Sequence, residues 1–385
     1  MKAPAVAVLI AFIVAGCTSP QAGTSASPSP SSRPSASASA SPSTDPSLAC
    51  TSKPVPGHPL ALLAATLSAS QGLAVMDVAD PLHPFQICGL NNAVSGRFVS
   101  ATKIVFWEST YIGTADLSTN GVFWSRAFVD PPTVLAFSPD GSKWAYQTGD
   151  PTHGLTIHFV IAGKDETLLT MPQIIGTGKP PWGPISKLAF SAQGDYLLTY
   201  TAFGNPSGLP NFVVFRSDGS IAFRSALANL GTWSSTGNRL YLLAATTVAG
   251  IIGRVGRWEP GSAPVQVSGP LSSYFWPAVS PDDGKLVFNS FDDKSLPRLW
   301  RLDIATGKAV QISSGISTEP VFMGPNVVWS SEEQPCQCGP GGSSAPDGKV
   351  VAHNLQSGTD TPVADFTGFT LSTAPTRDIL DVWLG

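Results

Sequence analysis

Five cysteines and five histidines are the side chains best suited to metal, redox or nucleophilic chemistry in this chain. The cysteines are Cys17, Cys50, Cys88, Cys336 and Cys338. Cys336 and Cys338 form a Cys-x-Cys pair, and thiolates bind soft metals well. No histidine lies near that pair in sequence, and His353 falls in a stretch expected to be a strand. The other reading is oxidation. With Cys17 set aside, four cysteines allow three pairings into two disulfides. A bond between Cys336 and Cys338 would close a very small ring, so Cys50 and Cys88 are each expected to pair with one of the two. That would tie the start of the folded part to the long loop expected over 332–349. No metal or other cofactor is expected.

The histidines are His58, His83, His153, His158 and His353. None sits in a recognisable nucleophile arrangement, and no G-x-S-x-G elbow is present. A Ser-His-Asp site would have to be assembled from scattered loops. The acidic pairs Asp282-Asp283 and Asp292-Asp293 offer hard oxygen ligands, but not at the spacing of a calcium loop. Paired acids in surface turns are ordinarily solvated. The chain therefore reads as a non-enzyme.

These residues sit in a repeating frame. The stretch 135–150, LAFSPDGSKWAYQTGD, is a short apolar strand, a turn, and an alternating strand. The same pattern recurs at 187–201 (KLAFSAQGDYLLTYT), 232–245 (TWSSTGNRLYLLAA), 277–290 (PAVSPDDGKLVFNS) and 320–331 (PVFMGPNVVWSS). Weaker copies stand at 98–109 and 370–384. Asp and Asn can bond their own backbone in such turns, and Gly supplies the positive φ. A second kind of hairpin, clearest at 298–313 (RLWRLDIATGKAVQIS), follows most copies and first appears at 73–87. The two kinds alternate with a period of roughly 40–50 residues, which is four strands per repeat. Four strands per repeat is the blade of a β-propeller. Seven copies of each hairpin favour seven blades, with six or eight left open by the surplus strand at 60–67. Closure of the ring is expected between 370–384 and 73–87, because an open ring would expose strand edges. Trp107, Trp144, Trp233, Trp300 and Trp329 recur in these strands. They suit the wedge-shaped gaps between blades better than a ring of stacking platforms.

The SPDGSKWAY turn followed by a hairpin of the LDIATGKAVQI type resembles the WD40-like repeats of TolB-type propellers. The resemblance covers most of 98–385 and is sharpest at Ser138 and Ser280. It implies an all-β propeller and protein–protein contact in a cell envelope. Two other propeller families resemble the chain only in fragments. Asp303, Thr306, Gly307 and Lys308 match a quinoprotein turn, but Val310 and Gln311 stand where its tryptophan would follow. Ser280, Asp282 and Gly284 match the start of a sialidase turn, but Leu286 and Val287 end it, and the arginines are scattered.

The N-terminus adds an address. Lys2 precedes an apolar run too short to span a bilayer as a mature helix. The run ends in Val14-Ala15-Gly16-Cys17, which resembles a bacterial lipobox. The resemblance implies a signal peptide over 1–16 and a diacylglyceryl group on Cys17. Two acyl chains suffice for stable anchoring. Residues 17–48 are then a Ser-, Pro- and Ala-rich disordered tether of about 30 Å reach. The folded body is 49–385, outside the cytoplasm at a membrane face.

Charged residues make up only 12% of the chain, its net charge is -4, and no basic stripe runs through it, which argues against nucleic acid as a partner. The expected function is a tethered scaffold for one or more envelope proteins, with 332–349 and 201–211 as candidate binding loops. The alternative is a small-ligand or carbohydrate binder, or an enzyme, that uses the central funnel. Polar side chains converging on the axis would favour that alternative.

Overall fold

The computed structural model describes residues 47–67, 70–128, 131–150, 154–171, 185–201, 212–225, 228–245, 253–271, 274–292, 296–335, 344–363 and 379–384. Every regular element among them is a strand. In chain order they begin with β1 (Leu48–Cys50), β2 (Leu60–Leu67), β3 (Ser70–Asp77) and β4 (Phe85–Asn91). One four-stranded sheet follows from β5 (Ser95–Ser100), β6 (Lys103–Glu108), β7 (Tyr111–Asp116) and β8 (Gly121–Ala127). The next is β9 (Val134–Phe137), β10 (Lys143–Asp150), β11 (Gly154–Ile161) and β12 (Lys164–Met171). Then come β13 (Ile185–Phe190), β14 (Tyr196–Thr201), β15 (Phe212–Arg216) and β16 (Ile221–Ser225). The fourth is β17 (Ala228–Trp233), β18 (Leu240–Ala245), β19 (Gly253–Trp258) and β20 (Val265–Gln266). The fifth is β21 (Tyr274–Val279), β22 (Lys285–Phe291), β23 (Pro297–Asp303) and β24 (Ala309–Gln311). The sixth is β25 (Ser317–Phe322), β26 (Val327–Pro335), β27 (Ser344–Asn354) and β28 (Thr359–Pro362), and the chain returns in β29 (Ile379–Trp383).

The seventh sheet joins the two ends of the chain in the order β1-β4-β3-β2-β29. The fold is thus a seven-bladed propeller of antiparallel blades, as the repeat count favours. The surplus strand at 60–67 is no extra blade. It is the second strand of the closing blade, and β29 pairs directly with it, Leu60 opposite Trp383 and Leu62 opposite Asp381. Closure therefore runs through β2, one strand inward of the expected 73–87 hairpin. The reason is burial. Leu60, Ala61, Leu62 and Leu63 are all buried, so both faces of β2 are covered. Residues 370–378, the rest of the expected last hairpin, lie outside the described residues.

Strand alternation explains the packing. Leu60 and Leu62 face Phe98, Ile104 and Phe106 of the first blade after closure. Ala61 and Leu63 face Met323, Trp329, Val350 and Ala352 of the last. Seven apolar clusters result, one at each blade junction. The repeated tryptophans serve these junctions. Trp329 is fully buried, and its indole N–H donates to Pro81 O of the next blade at 3.0 Å. Trp233 donates to Ala189 O of the blade before at 2.9 Å. Trp107, Trp144 and Trp300 pack against junction clusters.

The Ser-containing turns join the innermost strand of a blade to its second strand. Ser138 and Ser280 are fully buried. Each hydroxyl donates to the aspartate two residues on, Asp140 or Asp282, and accepts from the backbone N–H of Lys143 or Lys285. Gly141 takes a left-handed φ of 69°. Asp283 fills the matching position with φ 55°. Its carboxylate is held by Ser235 N at 2.8 Å and by the Thr236 hydroxyl, both on the preceding blade.

Two expectations need correction here. Cys50 and Cys88 bond to each other, where each was expected to pair with Cys336 or Cys338. They are direct cross-strand partners on β1 and β4, with Cα atoms 3.9 Å apart. β1 is thereby stapled to the outside of the closing blade as a fifth strand. Cys336 and Cys338 lie outside the described residues, as does Cys17 with the lipobox Val14, Ala15 and Gly16. The second correction concerns 332–349. Pairing in β26–β27 continues through Glu333–Pro346, Gln334–Ala345 and Pro335–Ser344, so most of the expected loop is a long hairpin. Residues 336–343 and 202–211 are outside the described residues.

Candidate functional site

Each blade runs antiparallel from the axis outward, so its connections fall on two faces. The Ser-containing turns and the outer hairpin turns share one face. The connections from second to third strand, and from one blade to the next, share the other. Of the two candidate binding segments, the β26–β27 hairpin belongs to this second face.

The inner strands β5, β9, β13, β17, β21, β25 and β29 surround the axis. They begin at the second face, and several are bulged there. The register shifts at Phe275/Ala278 in β21, Thr318/Val321 in β25 and Leu62/Leu63 opposite β29. Trp276 and Glu319, each just before a proline in its bulge, have φ of 47° and 56°. Such backbone is uncommon for residues with a side chain. Trp276 and Leu380 are large apolar groups left exposed at this level. Glu319 is buried, and its N–H donates to Asn289 Oδ1 at 3.0 Å. Asn289 in turn donates to Ser317 O, so this side chain braces the β25 bulge from β22 of the preceding blade.

Below the mouth lies an axial cavity of about 720 Å³. Its lining includes Arg97 from β5, Lys187 from β13, Thr232 from β17 and Asp381 from β29. A second hollow of about 310 Å³ adjoins it along β21, β25 and β29. Asp381 accepts the backbone N–H of Phe98 at 2.9 Å. Its nearest cation is Arg97, with Nε 3.9 Å from Oδ2. Burial pushes the Asp381 carboxyl up, against the pull of Arg97. Burial pushes the Lys187 ammonium down. The side chain of Lys187 nevertheless reaches solvent, as a residue on the wall of an open cavity does, so the effect of burial on it is modest. Charged groups do converge on the axis, and sequence reasoning did not find them. The signal was present in the repeat, since Lys187 opens KLAFS where the copies before Ser138 and Ser234 carry Val134 and Leu230.

A Ser-His-Asp arrangement exists, and strands build it rather than loops. Ser330 on β26, His353 on β27 and Asp360 on β28 lie side by side in one blade. Ser330 Oγ is 2.7 Å from His353 Nε2, and His353 Nδ1 is 2.7 Å from Asp360 Oδ1. Asp360 also accepts from Ser314 N and Oγ. Burial pushes the His353 ring down despite Asp360, so the ring is neutral near pH 7. Its proton is assigned to Nδ1, facing the carboxylate, and Ser330 donates to Nε2. This is the hydrogen-bond order of a hydrolase, but Ser330 is fully buried and His353 nearly so. A substrate carbonyl has no approach to Oγ. A related set stands in another blade, where Thr148 Oγ1 is 3.2 Å from His158 Nε2 and His158 Nδ1 is 3.2 Å from Asp165 Oδ1. Two blades thus use the same cross-strand device, which marks it as blade structure.

The remaining candidates resolve as local structure. His58 pairs with Asp77 at 2.7 Å, and exposed His83 pairs with Asp80 at 2.8 Å. His153 lies outside the described residues. Asp303 caps its own turn through Thr306 N and Oγ1, both at 2.9 Å, and Gly307 supplies a φ of 69°. That accounts for the quinoprotein-like spacing by hairpin geometry. Asp282 is held by Ser280 and Gly284 N, and Asp292 by Leu296 N and Arg298 Nε. Asp293 is outside the described residues. Among the described residues no three His, Cys, Asp or Glu side chains form a metal-ligand group, and no helix is long and apolar enough to cross a membrane.

No known family matches this chain by sequence, and no curated protein does. Solved structures are similar in fold. An oligogalacturonate lyase in complex with manganese matches with 11% identity over 78% of this chain and 87% of its own, at a TM-score of 0.56. Oligogalacturonate lyase from Vibrio parahaemolyticus matches with 9% identity over 82% of this chain and 99% of its own, at 0.51. TolB from Acinetobacter baumannii matches with 12% identity over 80% of each chain, more loosely, at 0.41. At these identities the likeness is one of propeller fold alone.

Proposed function

We propose that this chain is a lipid-tethered propeller outside the cytoplasm, working as a protein-binding platform in the cell envelope and not as a hydrolase. The observation that supports this most is the β26–β27 hairpin. Its pairing runs on to Pro335 and Ser344, at the face where the connections between blades gather. Rigid scaffolds that gather loops on one face are built to bind. The sealed position of Ser330 speaks against acyl transfer at that serine. The lipobox-like residues 14–17 and the tether over 17–48 would hold this platform off the membrane. Capture from native membranes should recover fewer partners when residues 333–346 are replaced by a short turn. An identical set of partners would contradict the role given to this hairpin.

The axial cavity supports a second reading, a binder of a small ligand in the funnel. Arg97, Lys187 and Asp381 line it together, and its size suits a small molecule. The manganese-bound lyase fold shows that such propellers can host enzymes, but no comparable ligand group is assembled among the described residues here.

A further inference from the structure

Arg97 and Lys187 come from different blades and line one cavity. Among the described residues the Lys187 ammonium has no ion pair and no hydrogen bond, its backbone being paired in β13. Arg97 has only the long approach to Asp381, and its buried Nε has no hydrogen-bond partner. Asp381 is the one carboxylate among the described lining residues, and one of its oxygens is already engaged by Phe98 N. The cavity thus holds two cations against one partly occupied anion. Cations of two blades lining one concave wall concentrate an anion between them. A guanidinium fork matches the two oxygens of a carboxylate, and an ammonium adds a compact charge beside it. The volume of about 720 Å³ admits a small organic acid rather than a lone ion.

We propose that the axial cavity binds a small organic acid, whose carboxylates are held by Arg97 and Lys187 and whose charge is opposed by Asp381. This rests on the reading of the funnel as a ligand site and names the ligand class. Thr232 of a third blade also lines the cavity.

Calorimetry on the full-length chain in detergent tests this with citrate as the probe. Neutral triethyl citrate and inorganic phosphate serve as separate arms. Citrate should bind, and triethyl citrate and phosphate should bind at least tenfold more weakly. Lys187→Met and Arg97→Gln should each weaken citrate binding about tenfold, the loss of one charged contact. Asp381→Asn keeps an acceptor for Phe98 N and should tighten binding several-fold, an effect that damage to the fold would not produce. The Lys187 ammonium bonds to nothing among the described residues, so Lys187→Met carries the test if Arg97→Gln does not fold. Failure of citrate to bind, or equal binding by parent, Lys187→Met and Asp381→Asn, would overturn the proposal. Equal binding of citrate and its ester would overturn it while leaving the funnel a ligand site. Phosphate binding as tight as citrate would overturn the assignment to organic acids.

Discussion

Ser330 Oγ lies 2.7 Å from Nε2 of His353, inside a blade and away from solvent. The pair has the chemistry of a nucleophile and its base, with Asp360 behind the ring. Its burial makes it a structural relay that satisfies three polar side chains across three strands. Ser330→Ala should therefore leave a buried ring nitrogen without its donor. That costs about 1–3 kcal/mol and lowers the melting temperature. Fluorophosphonate probes should not label Ser330 in the folded protein. Labelling lost in Ser330→Ala would contradict this reading.

The same ring predicts a pH dependence. The folded pKa of His353 is depressed, mainly by burial. The unfolded chain therefore takes up a proton near pH 6.5 that the folded chain resists. The stabilising contribution is complete above that pH and is lost as the pH falls below it. Thermal unfolding should show a decline below pH 6.5 that is smaller in His353→Gln. An identical decline in the variant would assign it elsewhere.

Asp140 acts at lower pH. Burial alone would raise its carboxyl, but the hydroxyls of Ser138 and Ser142 and the Ser142 N–H bring it down to about 2. Its contribution should be present above about pH 4 and disappear towards pH 2. Asp140→Asn should flatten that part of the stability curve.

Much of the wheel is legible in the chain. The alternation of 135–150 and its copies gives the strands, and Ser138 and Ser280 mark the turns because each hydroxyl serves both a side chain and a backbone N–H. What is not legible depends on distant pairing. β2 reads as surplus because its partner β29 lies at the other end of the chain. Ring size argues only against a Cys336–Cys338 bond, whereas cross-strand register decides the bond of Cys50 and Cys88. The Ser330–His353–Asp360 relay becomes visible only once β26, β27 and β28 are aligned. Lys187 and Arg97 look unremarkable until the ring brings β5 and β13 to one axis.

Closure makes a further prediction. Removing residues 379–385 would strip β2 of its inner partner and expose the edge at Leu60–Leu63. The truncated chain should aggregate or unfold at a markedly lower temperature. Loss of the Cys50–Cys88 bond in a double serine variant should cost less, about 2–4 kcal/mol, because it releases only an outer strand. A melting temperature unchanged by truncation would contradict the closing role of β29.

The location of the protein is a proposal with its own test. Cys17→Ala should shift the chain from the membrane fraction to the soluble fraction of cells that process lipoproteins. Retention at the membrane would contradict a lipid anchor on Cys17.

The central claim is that one face of the ring meets a protein partner. Site-specific photocross-linking tests it most directly, with the cross-linker placed at exposed Gln334 on the β26–β27 hairpin and, as the opposite face, at exposed Ser262. A discrete adduct with another envelope protein from Gln334, absent from Ser262, is the predicted result. Adducts from Ser262 alone, or equal adducts from both, would contradict the claim.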